Sequence, residues 1–292
     1  MIYPLVHELA ADNISVAVTC RVLEIPRSSY YDWASRAPSK RDVDDAYLID
    51  EIRDIYTASR ETYGAVRVFD ELRLGRGRRI GRKRVARLMR LVGLIGVCAR
   101  PKQRTKPAPA VHDDLVQRRF VADAPDRLWF TDITEHPTGE GKVYCCCVLD
   151  CYSRRIVGWA IADHVRSDLV VDALQMARWN RHTATGTIVH SDRGSQFTAW
   201  IFGHRLRQAG LLGSMGRVSS SVDNSMMESF WSTMQRELLD RHAWQTRNQL
   251  AAAIFEWIEA FYNPVRRHTS IGSLAPVDYE ARSTPNTAAD AA

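Results

Sequence analysis

Residues 128–162 read LWFTDITEHPTGEGKVYCCCVLDCYSRRIVGWAIA. Three apolar runs stand out: Leu128–Thr134, Val143–Asp150 and Ile156–Ala162. Each is too short for an ordinary helix and rich in aromatic or β-branched residues. Gly139-Glu140-Gly141-Lys142 and Ser153-Arg154-Arg155 supply the breaks between them. Short apolar runs with such punctuation predict three strands joined as an antiparallel meander. One residue sits badly in this pattern. Asp132 falls inside the first apolar strand, where a carboxylate is costly unless something compensates it, and a cation is one such thing.

Further along the chain, residues 167–179 carry Val170, Ala173, Leu174 and Ala177 at helical spacing. Thr187-Ile188-Val189 then reads as a fourth strand. A helical crossover of this kind predicts that it lies parallel to its neighbour. It runs straight into HSDRGSQF at 190–197, which contains Asp192, Arg193 and Gly194. The plain reading of that stretch is a polar turn that ends the strand. A helix over 198–209, a short strand over 211–215, a long helix over 224–239 and a last helix over 246–261 follow. Asp223 or Asn224 is the expected cap of the long helix, and Glu228 lies one turn into it. Residues 284–292 are expected to form a disordered tail.

On the N-terminal side, residues 15–34 show two short helices broken at Ile25-Pro26, a pattern that fits a helix-turn-helix. The second opens at Arg27-Ser28-Ser29 and continues through Tyr30, so Arg27, Ser28 and Tyr30 are candidate DNA contacts. Helices over 43–58, 62–74 and 82–92 follow from their apolar stripes. From Leu72 to His112 there are thirteen Lys/Arg and no acid. Arg82, Lys83, Arg84 and Arg87 fall on one helix within that run. A run of charge is often only a solvated face. One this one-sided, beside helical units, favours contact with phosphates. The formal net charge of +6 divides into +8 for residues 1–112 and −2 for 113–292. The front of the chain is suited to a polyanion, and the back keeps its carboxylates for another purpose. Prolines 101, 107 and 109 mark a linker. The expected organisation is a helix-turn-helix segment over 1–38 and a basic helical domain over 40–100. A linker over 101–117 leads to a second domain over 118–283.

The composition, 45% hydrophobic and 25% charged, is that of a globular protein. The sequence has no apolar run long enough to span a bilayer and no signal peptide, so the expected location is cytoplasmic, at the nucleoid. Six cysteines occur, three of them consecutive at Cys145, Cys146 and Cys147. Neighbours on a strand point to opposite faces, so these three cannot all pair with one another. They read as reduced, mostly buried small hydrophobes.

Asp132, Asp192 and Glu228 each have an ordinary reading: an edge-strand acid, a turn acid and a first-turn acid favoured by the helix dipole. Together they form an all-oxygen set if the first and fourth strands are neighbours and the long helix packs beside them. Such a set selects Mg²⁺ or Mn²⁺ over Zn²⁺. Two such ions about 3.5–4 Å apart support phosphoryl transfer. Arg193 and Gly194 beside them would let a phosphate backbone approach.

The stretches LWFTDIT, LDCYSRRIVGW (149–159), HSDRGSQF, DNSMMESFWSTMQREL (223–238) and FYNPVRRHTSIGSLAPVDYE (261–280) carry a resemblance, as do SRETYGAVRVFDELR and IGRKRVARLM upstream. Together they resemble the transposases of bacterial insertion sequences that have a retroviral-integrase-type catalytic core. The resemblance runs from about residue 12 to about residue 281. It implies an α/β ribonuclease-H-like mixed sheet flanked by helices, with an all-α helix-turn-helix DNA-binding region before it. It also implies a DDE triad of Asp132, Asp192 and Glu228 holding two divalent ions, Mg²⁺ or Mn²⁺, when DNA is bound. The implied activity is 3′-end cleavage and strand transfer of an insertion sequence. The implied partners are the element's ends, target DNA and further copies of the chain on paired ends. Such chains are often a second-reading-frame product, fused to a short upstream product. Where the family often has a Lys seven residues after the Glu, this chain has Gln235, with Arg236 next to it. Either could contact DNA. Two rival readings are a DNA-binding regulator without catalysis and a nuclease that hydrolyses without joining.

Overall fold

A computed structural model describes residues 2–97, 122–181, 186–191, 211–215 and 225–283. The chain divides into two compact units, Met1–Asp54 and Ile55–Ala292. The expected linker over 101–117, the helix over 198–209, the caps Asp223 and Asn224, Asp192, Arg193 and the tail over 284–292 lie outside the described residues.

The first unit holds α1 (Tyr3–Ala11), α2 (Val16–Val22) and α3 (Arg27–Ala34), and α4 (Lys40–Ala58) carries the boundary between the units. The expected break falls at the α2–α3 turn. Glu24 takes a left-handed φ of 55° and Ile25 N–H bonds the Cys20 carbonyl at 2.9 Å, closing α2 as a left-handed C-terminal residue does. Pro26, which donates no N–H, then opens α3. Val6, Cys20 and Tyr30 form the core, with Tyr3, Leu23 and Trp33 packed around it. α4 starts with a capping box: Ser39 Oγ accepts from Asp42 N–H at 3.2 Å, and Ser39 N–H donates to Asp42 Oδ2 at 3.0 Å.

In the second unit, α5 (Ala65–Asp70) runs on as a π-turn over Glu71–Gly75, and α6 (Arg82–Leu91) packs against it. α5 begins at Ala65, later than the expected start at 62: Arg60 and Glu61 adopt left-handed φ values of 56° and 60° where the preceding helix ends, and Gly64 is extended (φ −87°, ψ 176°) as the N-cap of α5. The sheet follows: β1 (Leu128–Thr138), β2 (Gly141–Asp150), β3 (Ile156–Ala162), β4 (Ile188–Ser191) and β5 (Leu212–Met215), in the order β3-β2-β1-β4-β5. β1–β2–β3 is the antiparallel meander read from the sequence. β4 pairs parallel with β1 after the crossover helix α7 (Ser167–Arg181), and β5 pairs parallel with β4. This is the ribonuclease-H-like mixed sheet. β1 extends four residues past Thr134, held there by pairing with β2 up to Thr138↔Gly141.

The pleat sorts side chains onto two faces. On one, Trp129, Cys146, Val148 and Val189 pack under Val170, Ala173, Leu174 and Ala177 of α7. Gly158 makes this packing possible, since a Cβ there would come within 2.2 Å of the Ala173 carbonyl oxygen. The other face carries Phe130, Asp132, Cys145, Cys147 and Leu149, by the β1–β2 register. It is covered by α8 (Ser225–Glu237) and by α9 (Arg247–Glu256), which continues as a π-helical stretch over Trp257–Tyr262. Cys145 and Cys147 thus share one face, with sulfurs 3.7 Å apart, while Cys146 occupies the other. All three are free and buried, as are Cys20 and Cys151. Asn263 acts as a surrogate strand partner: its side chain accepts from Ile156 N–H and donates to the Ile156 carbonyl, both at 2.9 Å. α10 (Pro276–Ser283) is tied on by Glu280, which accepts from Arg181 at 2.6 and 2.7 Å and from Arg155 at 2.9 Å. Among the described residues no helix is long and apolar enough to cross a membrane.

Candidate active site

Asp132 lies near the middle of β1, opposite Cys147 of β2, on the face that α8 covers. It is half-buried. Its Oδ1 accepts from the Ile133 N–H at 2.9 Å, and its Oδ2 accepts from the Trp231 indole N–H at 3.0 Å. Trp231 is three residues beyond Glu228 on α8, so the two side chains lie one turn apart on neighbouring parts of the same helix surface. Met227, Phe230 and Met234 are buried. Phe230 touches the rings of Tyr262 and Trp257, with centroids 5.0 and 6.0 Å away. The apolar stripe of α8 therefore fastens it against the sheet, and Glu228 stays exposed beside the strand that carries Asp132.

β4 supplies the third approach. Its parallel ladder with β1 runs Leu128↔Ile188, Trp129↔Val189, Phe130↔His190 and Thr131↔Ser191. The last pair immediately precedes Asp132 on one strand and Asp192 in the sequence on the other. His190 is buried under this end of the sheet, its ring 5.5 Å from that of Phe130. Described residues therefore dock α8, the helix that carries Glu228, at Asp132 through Trp231, while Asp192 and Arg193 lie outside the described residues. Among the described residues no three His, Cys, Asp or Glu side chains gather as metal ligands. The donor chemistry fits a hard divalent cation: Asp132 and Glu228 offer carboxylate oxygen, and the nearest thiol face, at Cys147, is buried and held protonated by desolvation.

The other candidate contacts fall as follows. Arg27 and Ser28 are exposed in the first turn of α3. Tyr30 is 4% exposed and its hydroxyl lies 3.3 Å from His7 Nδ1, so this ring packs the first unit's core instead of facing outward; its neighbour Tyr31 is 57% exposed. Arg82, Lys83 and Arg87 are exposed on α6, and Arg84 is half-exposed. The Gln235 amide is engaged by Asp240, and the Arg236 guanidinium donates to Ser232 Oγ at 2.7 Å. Trp231 carries no sequence signal of its own. Its role as a partner of Asp132 emerges only from the docking of α8.

A second polar centre lies on the other flank of α8. Arg266 donates to both carboxylate oxygens of Glu237, at 2.8 and 2.7 Å, with both residues buried. Arg67 approaches the same carboxylate at 3.7 Å. His268 Nε2 lies 3.4 Å from Arg266 Nη1. Burial, and then the charges of Arg266, Arg67 and Arg154, hold His268 well below the ordinary histidine value of 6.5. The folded ring is neutral at pH 7 and resists protonation, whereas the unfolded one takes a proton near 6.5. The stability that depends on the neutral ring is present above that value and is lost as pH falls towards the folded one. His268→Gln should therefore flatten the fall in the urea midpoint between about pH 7 and pH 5 relative to wild type. An unchanged slope would remove His268 from this role.

Known proteins match this chain along most of its length. Residues 122–221 and 210–276 match two family models, each described as Integrase core domain, and residues 42–102 match an HTH-like domain. The transposase for insertion sequence element IS904 of Lactococcus lactis is 37% identical over 248 residues, covering 84% of this chain and 98% of that protein. The transposase for insertion sequence element IS629 of Shigella sonnei is 35% identical over 285 residues, covering 95% of each. Transposase InsF for insertion sequence IS3A of Escherichia coli is 33% identical over 273 residues, covering 92% of this chain and 94% of its own.

Proposed function

The chain belongs to the insertion-sequence transposases that carry an integrase core domain, and on that premise we propose that Asp132, Asp192 and Glu228 form its catalytic triad for 3′-end cleavage and strand transfer. The observation that supports this reading is the docking of α8 at Asp132. The described β1–β4 ladder runs as far as Thr131↔Ser191, and in the sequence Asp132 and Asp192 are the residues that follow that pair. The Trp231–Asp132 hydrogen bond ties the helix that carries Glu228 to the strand that carries Asp132.

The three carboxylates would hold Mg²⁺ or Mn²⁺, which activates an attacking oxygen and stabilises a leaving one at phosphorus. What the chain itself does is orient. Trp231 and the Ile133 N–H fix the rotamer of Asp132. The exposed cations of α6 and the first turn of α3 would hold DNA phosphates, and a few side chains would read bases. The proposed division of labour is a helix-turn-helix segment over 1–38, a basic domain over 40–100 and a core over 118–283. Water would attack the phosphodiester at the element's end and displace its 3′ oxygen, which leaves as the 3′-OH; that 3′-OH would then attack a target phosphodiester and displace the target's own 3′ oxygen, so no protein side chain becomes covalently linked to DNA. Copies of the chain would act together on paired ends, and an upstream reading-frame product could be fused to it or bound by it.

The test supplies pre-cut element ends, target duplex and Mg²⁺ to the full chain. Joined product without any protein–DNA adduct is the expected result. A trapped covalent adduct, or hydrolysis with no joining, would overturn it.

A further inference from the structure

A cavity of about 230 Å³ opens on the flank of α8 turned away from Glu228. Successive helix residues are rotated by about 100°, so Ser229 and Thr233, which line the cavity, project from the side opposite to Glu228, Trp231 and Gln235. Three guanidinium groups meet there, those of Arg67, Arg154 and Arg266, together with His268. They come from segments far apart in the sequence: α5, the β2–β3 turn and the chain after Tyr262. Among the described residues one carboxylate, Glu237, answers them, and it is already held by Arg266 with Arg67 at 3.7 Å. The neighbouring histidine is neutral, so the described lining carries a surplus of positive charge.

The Arg154 Nε is buried and has no hydrogen-bond partner among the described residues. Buried donors are rarely left this way without a reason. The backbone is also bent to bring this side chain in. Arg154 has a φ of 66°, a region that most side chains avoid. The turn is wound around the fully buried Asp150 carboxylate, which accepts from the N–H groups of Asp126, Tyr152 and Ser153 at 2.7, 2.9 and 3.0 Å. The Arg154 N–H bonds the Asp150 carbonyl at 2.9 Å. A strained non-glycine residue that delivers an unpaired guanidinium N–H into a cationic, hydroxyl-lined cavity marks an anion site better than it marks a packing accident.

We infer that this cavity binds a phosphate group, held by Arg154 and Arg67 with the Ser229 and Thr233 hydroxyls, while Arg266 stays paired with Glu237. The volume admits a tetrahedral oxyanion with some of its water. The phosphate could belong to a DNA strand passing behind α8 or to free inorganic phosphate, and the chemistry of the pocket is common to both.

The test uses the full chain in metal-free buffer and follows thermal unfolding in inorganic phosphate against chloride of equal ionic strength. For wild type the midpoint should rise steadily with the logarithm of phosphate concentration. Arg154→Gln and Arg154→Gly should abolish that extra rise while keeping the wild-type circular dichroism. The glycine variant also relieves the left-handed backbone, so it is expected to fold. An equal rise in both variants, or a wild-type curve no different from chloride, would overturn the inference. Duplex-DNA binding against salt then identifies the source. A slope smaller by about one in the variants assigns the pocket to a DNA phosphate, and an unchanged slope assigns it to the free anion. Neither metal nor strand joining enters these measurements, so they stand or fall apart from the triad.

Discussion

Asp132→Asn should abolish strand joining while leaving DNA affinity within about twofold of wild type. Charge stabilisation by bound metal supplies several kcal/mol at a reacting phosphorus. At about 1.4 kcal/mol per decade, that corresponds to a loss of roughly a thousandfold or more. Asp192→Asn and Glu228→Gln should match it, since the three are proposed to act as a unit and their losses should not add. Trp231→Phe is the informative companion. It removes the 3.0 Å hydrogen bond to Asp132 Oδ2 but keeps the aromatic body. Support of this kind typically accounts for about 10–100-fold in metal affinity, so activity should recover in part as the Mg²⁺ concentration is raised. Gel-shift and joining assays on the same preparations check all four variants. Joining that survives Asp132→Asn at matched DNA binding would end the catalytic reading and leave a DNA-binding regulator.

Arg266→Met should cost about 3–5 kcal/mol, because it strands the Glu237 carboxylate in the interior. Glu237 is 5% exposed and Arg266 is 4% exposed, so water cannot replace the lost partner cheaply. Arg67, at 3.7 Å, can only partly compensate, since its own charge is penalised by burial. For a unit of this size the melting temperature should fall by on the order of 10 °C. The double change Glu237→Leu with Arg266→Met should recover most of that, because no charge is then left buried. A single-variant loss below about 1 kcal/mol by urea titration would show that the pair is solvated in solution.

Some of this architecture was legible for plain reasons. Pro26 punctuates α2 and α3, and the glycines of 139–141 punctuate β1 and β2. The apolar runs of β1 to β3 are short and dense, and a helical crossover forces β4 parallel to β1. The outer half of β1 was not legible, because Glu135-His136-Pro137-Thr138 has no apolar alternation and is held by pairing, not burial. α1 escaped notice because a single buried side chain, Val6, anchors it. α10 escaped because its inward-facing Glu280 is anchored by arginines, which a search for apolar stripes passes over. The π-turns at Glu71–Gly75 and Trp257–Tyr262 read as ordinary helix, since a 3.6-residue period cannot announce one wider turn. At the site, the unusual placement of Asp132 in an apolar strand singled it out, and Glu228 followed from its helix. Trp231 and the arginine cavity depend on which surfaces meet, and that information is spread over four distant segments.

The five cysteines among the described residues are distributed so that each unit times its own opening. Cys20 lies in the core of the first unit, and Cys145, Cys146, Cys147 and Cys151 lie inside the second. Desolvation suppresses thiolate at Cys146 and Cys147 and pushes Cys151 up to about 11, so an alkylating reagent finds little to attack at these three positions while the sheet is closed. Peptide-resolved mass spectrometry after a brief iodoacetamide pulse would then date the loosening of the two halves separately, with no engineered probe, and would show whether DNA locks one before the other.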